Sequence, residues 1–286
     1  MIEISTKLVR QLIDTQFPTW KELDIYPVMQ SGNDNRTFHL GGEMTIRLPS
    51  DVQYVAQVEK EAKWLPFLAK QLSLPISCPV EIGQPSEVYP FPWSINKYIN
   101  GETVNKNNII NMNDFANDLS IFLKELQSIE TKDAPIAGKH NFFRGANPIV
   151  YNEEVENALE ELKEYLPIDL LREIWKDAIS SQWQYPPVWI HGDIAPGNLL
   201  VENGKLSGVI DFGIMGIGDP ACDYAMAWTF FDNQSRTNFL QGLDYGVIAR
   251  ARGWALWKAL ITYHDSSLAI SNNAQRTIKE IIDEYK

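Results

Sequence analysis

The stretch HGDIAPGN, residues 191–198, places an acid, Asp193, two residues after a histidine and an amide, Asn198, five residues after the acid. Pro196 and Gly197 lie between them, so the stretch is neither the interior of a helix nor a regular strand. It is a tight polar loop between two apolar runs, PPVWI before it and NLLVENG after it.

The residues that follow give the loop a geometry. LLV reads as a short strand, Asn203-Gly204 is the strongest two-residue hairpin signal, and LSGVI reads as the returning strand, with Asp211 directly behind it. The open ends of an antiparallel hairpin lie roughly 5 Å apart. Asn198 enters this hairpin and Asp211 leaves it, so the pattern predicts that the two are neighbours. An amide oxygen and a carboxylate that converge in this way form a hard-oxygen site suited to Mg²⁺. Asp193 is then placed to face a substrate held over that metal. Further on, in FGIMGIGDPACDYA, Asp219-Pro220 reads as an N-cap followed by proline at the first helical position. Asp223 falls in the first turn, and both acids read as capping groups.

Upstream, the pattern is that of a sheet. Ser5 is the expected cap of a helix carrying Leu8, Val9, Leu12 and Ile13. DIYPVM, RTFHL and EMTIRL read as strands, the last two as a hairpin turning at Gly41-Gly42. Residues 52–72 read as a helix with Val55, Val58, Ala62, Leu65 and Leu68 inward, and CPVEIG and VYPFPWSINKYI as further strands. Downstream of Gly101 helices dominate, near 113–129, 152–165, 168–182, 220–231, 235–263 with a break around 242–246, and 271–285. The long stretch TKDAPIAGKHNFFRGANP between the first two reads as a loop. The expected organisation is a β-rich lobe over residues 1–95, a connector at 96–101 and a helical lobe over 102–286.

The chain has 286 residues and a formal net charge of −12. The first 95 residues carry 8 basic against 11 acidic side chains, and the remainder 17 against 26. Such a field repels nucleic acid and attracts small cations. Two distant cysteines, Cys78 and Cys222, suggest neither a disulfide framework nor a zinc site. With no signal-peptide pattern at the N-terminus and no apolar run of membrane length, a cytoplasmic protein without a membrane partner is expected. A metallohydrolase reading of His-x-Asp would need further histidines, and His39, His140 and His264 are not at ligand spacing.

HGDIAPGN followed by VIDFG and GIGDPACDYA resembles the catalytic loop and metal-binding segment of the aminoglycoside phosphotransferase family, relatives of the protein kinases that include the macrolide phosphotransferases. The resemblance implies a two-lobed, protein-kinase-like α+β fold and a small-molecule kinase. Its donor would be ATP or GTP, and its acceptor a hydroxyl of an aminoglycoside-like or macrolide-like molecule. It further implies that Asp193 is the catalytic base, that Asn198 and Asp211 hold Mg²⁺, and that His191 braces the loop. Arg47 stands where the family's third strand usually carries a lysine for the nucleotide phosphates, with Glu61, or else Glu59, as its partner from the next helix. Ser31, Gly32 and Asn33 fall in the phosphate-covering loop, and Lys97, Tyr98 and Ile99 in the hinge that meets the base. Only a few residues separate Asp211 from Asp219-Pro220, too few for the activation segment of a protein kinase, so a small hydroxylated acceptor is expected, and the acidic helical lobe suits a cationic one. The acceptor could equally be a small metabolite such as an amino alcohol, homoserine or a sugar. A kinase-shaped binding protein without turnover is the alternative of a different class, favoured by Arg47 and by the glycine-poor loop. The run EEVENALEELKE and Trp183, Trp228, Trp254 and Trp257 read first as a solvated helix face and as core.

Overall fold

Ser5 accepts from the amide of Leu8 and caps α1 (Thr6–Gln16), whose Val9, Leu12 and Ile13 are buried. In the computed structural model, which describes residues 3–28 and 34–285, this helix lies over a five-stranded antiparallel sheet. The strands are β1 (Ile25–Pro27), β2 (Asn35–Leu40), β3 (Met44–Pro49), β4 (Pro79–Gly83) and β5 (Trp93–Lys97), in the order β1-β2-β3-β5-β4. Alternate apolar residues, Phe38 and Leu40 on β2 and Ile46 and Leu48 on β3, point to one face and close a core with Tyr89, Trp93 and Ile95. Gly83 is dictated by that core, because a Cβ there would lie 1.9 Å from the Trp93 ring.

The β2–β3 hairpin pairs Leu40 with Met44, so its turn comprises three residues, Gly41 to Glu43, rather than the two glycines expected. Gly41 takes the left-handed conformation, φ +60°, that closes it. The inserted helix is α2 (Val55–Leu68). Val58, Leu65 and Leu68 are buried as their spacing predicts, but so is Glu61, while Val55 and Ala62 are only half-buried.

The chain divides into two units: Met1–Gly101 together with Ser207–Gly213, and Glu102–Leu206 together with Ile214–Lys286. The sequence reading gave all of 102–286 to the helical lobe. The segment Ser207–Gly213 instead belongs to the first unit, because the Val209 amide donates to Pro75 O at 3.1 Å and Val209 bridges Ile76.

In the second unit, β6 (Glu102–Thr103) is followed by α3 (Met112–Ser128), whose Phe115, Leu119, Phe122, Leu123 and Leu126 all face inward as their periodicity requires. Then come α4 (Asn152–Glu161), α5 (Ile168–Ser180) and β7 (Val188–Ile190). β8 (Leu199–Glu202) pairs with β6 and turns at Asn203-Gly204 into β9 (Lys205–Val209), which leaves the unit after Leu206. β10 (Gly216–Gly218) returns antiparallel to β7. The chain ends in α6 (Met226–Thr229), α7 (Asn233–Phe239), α8 (Tyr245–Ile261) and α9 (Leu268–Tyr285). The break expected around 242–246 falls between α7 and α8, where Gly242 has φ +85° and Asp244 caps the next helix. Trp228, Trp254 and Trp257 are buried. Among the described residues no helix is long and apolar enough to cross a membrane.

Candidate active site

In the second unit, the HGDIAPGN loop leaves β7 at Ile190 and enters β8 at Leu199. Gly192 has φ +88°, and a Cβ on it would sit 2.8 Å from Ile214 O, so only glycine fits. His191 is fully buried, and its Nδ1 accepts the Asp193 amide at 3.2 Å. The imidazole therefore holds the backbone of the acid.

A second brace was not legible in the sequence. Asp223, read there as a capping group, accepts the His191 amide on Oδ2 at 2.8 Å and the Gly192 amide on Oδ1 at 2.7 Å. It clamps the loop and caps nothing. Burial pushes its carboxyl above the ordinary range, and the two amide bonds and nearby His191 pull against that shift. Asp219 does cap, accepting from the Ala221 amide at 3.1 Å. It also takes the guanidinium of Arg250 at 2.5 Å and 3.3 Å, a buried pair that sequence spacing could not reveal.

Asp193 is exposed. Asn198 Nδ2 donates to its main-chain oxygen at 2.9 Å and to its Oδ2 at 3.0 Å. Since the nitrogen of a planar amide is committed to the acid, the Asn198 carbonyl oxygen is directed away from it. A carboxylate is thus presented on a rigid loop beside an amide oxygen of fixed orientation.

The first unit holds a second cluster. Arg47 on β3 forks its guanidinium: Nη1 donates to Glu61 Oε1 and Oε2 at 3.2 and 3.3 Å, and Nη2 donates to Asp211 Oδ1 at 2.6 Å. Glu61 rather than Glu59 is the partner from α2, and Glu59 is exposed. Burial disfavours charge on Arg47, but Glu61 and Asp211 outweigh it and hold the guanidinium protonated. Burial also raises the Glu61 carboxyl against the pull of Arg47. Asp211 sits at φ +66°, a strained conformation for a non-glycine residue. A Cβ on Gly213, two residues on, would lie 2.6 Å from Gln57 Oε1, so a larger residue there would displace the Gln57 amide.

In the expected hinge the Lys97 amide donates to Cys78 O at 3.1 Å and the Tyr98 amide to Glu43 O at 2.8 Å, and among the described residues the Ile99 amide has no such backbone bond. Ser31, Gly32 and Asn33 lie outside the described residues.

The donor chemistry fits Mg²⁺. In the first unit Asp211 offers carboxylate oxygens on a side chain that is 40% exposed, and in the second unit Asn198 offers an amide oxygen; each is a hard-oxygen donor. Among the described residues no three His, Cys, Asp or Glu side chains gather into a metal site.

The model of the phosphotransferase enzyme family matches residues 27–260, most of the chain. The chain belongs to the phosphotransferase enzyme family. An aminoglycoside 3'-phosphotransferase of Escherichia coli is 30% identical over 118 residues, 38% of this chain and 41% of that protein. The chain thus matches less than half the length of the curated relatives. The GDP complex of wild-type aminoglycoside 2'-phosphotransferase-IIIa shares the fold, with a TM-score of 0.74 at 19% identity over 99% of this chain and 100% of that one. Macrolide 2'-phosphotransferase MphH from Brachybacterium faecium gives 0.61 at 17% identity over 94% and 97%. The fold class of this phosphotransferase-family chain is accordingly the kinase-like α+β class, an antiparallel sheet in one unit and mainly helices in the other.

Proposed function

We propose that the chain transfers the γ-phosphoryl group of ATP or GTP to a hydroxyl of a small aminoglycoside-like or macrolide-like molecule. The observation that carries this reading is the Asp193 carboxylate, held by Asn198 and kept rigid by His191 and Asp223. Phosphoryl transfer of this kind has a loose transition state, so the attacking oxygen needs orientation more than full deprotonation. Asp193 accepts the hydroxyl hydrogen bond, aims the oxygen and takes its proton as the new P–O bond forms. The γ-phosphorus loses its bond to the bridging oxygen, and the nucleoside diphosphate leaves with that electron pair.

Arg47 binds phosphate oxygens and Glu61 fixes the guanidinium for it. Ile99 meets the base through its amide. Asn198 and Asp211 would hold Mg²⁺, which would supply charge neutralisation on the phosphates when bound. Support for shared ligation comes from the short hairpin that connects the two residues in sequence. A nucleotide-consuming enzyme with two unpaired cysteines fits a cytoplasmic setting.

The test is nucleotide consumption with Mg²⁺ against aminoglycosides, macrolides, amino alcohols, homoserine and sugars, with the Asp193→Asn variant as control. Acceptor-dependent release of nucleoside diphosphate that disappears in the variant supports the reading. Acceptor-independent hydrolysis that is equal in both proteins overturns it.

A further inference from the structure

Beside the HGDIAPGN loop, within the second unit, lies a cluster that the phosphotransfer chemistry does not use. Residues 134–152 contain no acid, although the rest of the chain beyond residue 101 is acidic. They carry Lys139, His140 and Arg144, and Lys139 and His140 are exposed. Phe142 and Phe143, both in left-handed conformations, are 49% and 37% exposed. This loop is fixed against the strands that frame the catalytic acid. Asp219 N donates to Gly145 O at 2.8 Å, and Ala137 N donates to Ile217 O at 3.0 Å. The Arg144 Cβ lies 3.3 Å from where a Cβ on Gly192 would stand, so Arg144 starts next to the residue that precedes Asp193.

The half-buried guanidinium of Arg144 stands 4.9 Å from the ring centroid of Trp254 and 4.8 Å from that of Trp257. Tyr151 stacks on Trp257 at 4.1 Å. Among the described residues no carboxylate pairs with Arg144, and its close contacts are the indole faces. Glu154, the carboxylate that reaches this cluster, accepts from Trp257 Nε1 at 2.9 Å instead. Among the described residues Trp254 Nε1 finds no acceptor. The cluster is therefore rich in donors and poor in acceptors. Indole faces orient a guanidinium and offset part of its desolvation, but they leave its five N–H donors unmatched. A planar fork of this kind matches an oxyanion, carboxylate or phosphate, in bidentate fashion.

We propose that Arg144, seated on Trp254 and Trp257, recognises an oxyanion on the acceptor, whose apolar part packs against Phe142 and Phe143. The acceptor class is then a hydroxylated molecule with one apolar face and a carboxylate or phosphate, not a polycation. The inference rests on the phosphotransfer reading for its place beside Asp193, and it replaces that reading's aminoglycoside-like or macrolide-like acceptor with an anionic one.

The test uses matched compounds: phenyl glucuronide, phenyl glucoside 6-phosphate, neutral phenyl glucoside and the polycation kanamycin. Binding to the full chain with Mg-nucleotide is read by calorimetry and by tryptophan fluorescence, and phosphorylation by mass spectrometry. The wild-type chain is expected to bind one of the two anionic compounds at least about tenfold more tightly than the neutral one, as charge-assisted hydrogen bonds imply. Which of the two binds identifies the oxyanion. Arg144→Gln, which keeps hydrogen-bonding capacity without charge, removes that preference and leaves phenyl glucoside within about twofold. Arg144→Lys recovers part of it. Tighter binding of kanamycin than of either anion overturns the proposal, as does equal weakening of anionic and neutral compounds in Arg144→Gln. Because binding is read without turnover, anion preference without phosphorylation upholds this inference and counts against phosphotransfer alone.

Discussion

Asn198 Nδ2 donates to Asp193 Oδ2 at 3.0 Å and to the Asp193 main-chain oxygen at 2.9 Å, so one amide fixes both the side chain and the backbone of the exposed acid. The contact ties the two residues into one unit of chemistry, since the carboxylate orients the amide and the amide orients the carboxylate. Replacing either should therefore disturb both. Asp193→Asn keeps the shape and removes the proton acceptor, and kcat should fall by about 10²- to 10⁴-fold, the usual worth of a general base. Nucleotide affinity, measured by calorimetry on the same variant, should stay within about threefold. A near-normal kcat would remove Asp193 from catalysis.

Asp223 should control the loop without touching substrate. Its two oxygens take the His191 and Gly192 amides, and an asparagine could accept only one of them and would aim its own N–H₂ at the other. Leaving one buried amide unmatched costs about 1–3 kcal/mol. Asp223→Asn should therefore lower both the urea midpoint and kcat, with the acceptor KM changing less than kcat.

The same carboxylate gives a pH dependence whose two halves have opposite signs. Burial raises its folded-state pKa. Protonation therefore favours the folded state: this group's contribution to stability is fully present below its unfolded value, about 4, and is lost as pH rises through the folded value. Activity runs the other way, because the protonated acid grips the loop amides less well. The kcat profile should show an acid limb above the ordinary carboxylate range, and Asp223→Asn should abolish that limb. An unchanged limb in the variant would assign it to another group.

Much of this arrangement is written locally, and the part that is not has a common cause. The loop, the Asn-Gly turn, the caps at Ser5 and Asp219 and the inward face of α3 are short-range patterns in which each residue's neighbours determine its role. Asp223 and Arg250 act on partners 31 or 32 positions away, and capping alone accounts for an acid at the start of a turn. Glu61 was separable from Glu59 by helical phase, although the burial of a carboxylate on the inward face breaks the apolar pattern. The partners of the Lys97 and Tyr98 amides depend on sheet register, which no single strand encodes.

The buried Asp219–Arg250 pair should be a stability element. Arg250 is 2% exposed and also donates to Ser181 Oγ at 2.8 Å. Arg250→Met strands the Asp219 charge, and removal of one partner from a buried pair costs about 3–5 kcal/mol. Urea unfolding should show that loss. The double variant Asp219→Asn with Arg250→Met should recover part of it, because no uncompensated charge then remains. If the single and double variants are equally unstable, the cost lies in packing rather than in charge.

Arg47 offers the sharpest test of the first unit, because its two nitrogens serve two different acids. Nη1 holds Glu61 while Nη2 holds Asp211, and the rigid fork keeps the two contacts about the width of one guanidinium apart. A lysine keeps the charge but presents one point of attachment, so it cannot reproduce both contacts with the same geometry. Arg47→Lys should therefore retain folding and raise the nucleotide KM by about 10- to 100-fold, the worth of one charge-assisted contact. Arg47→Ala should go further, because Glu61 is buried and would be left without its cation. Its carboxyl should then titrate higher still, and the variant should regain stability when Glu61 is also changed to Gln. Steady-state kinetics with the nucleotide varied at saturating acceptor, together with urea unfolding of Arg47→Ala and of Arg47→Ala with Glu61→Gln, separate binding from structure. A normal nucleotide KM in Arg47→Lys would show that a point charge suffices at this position. A normal KM in Arg47→Ala would detach the cluster from nucleotide binding and leave Arg47 as a counter-ion that only holds Asp211 and Glu61 in place.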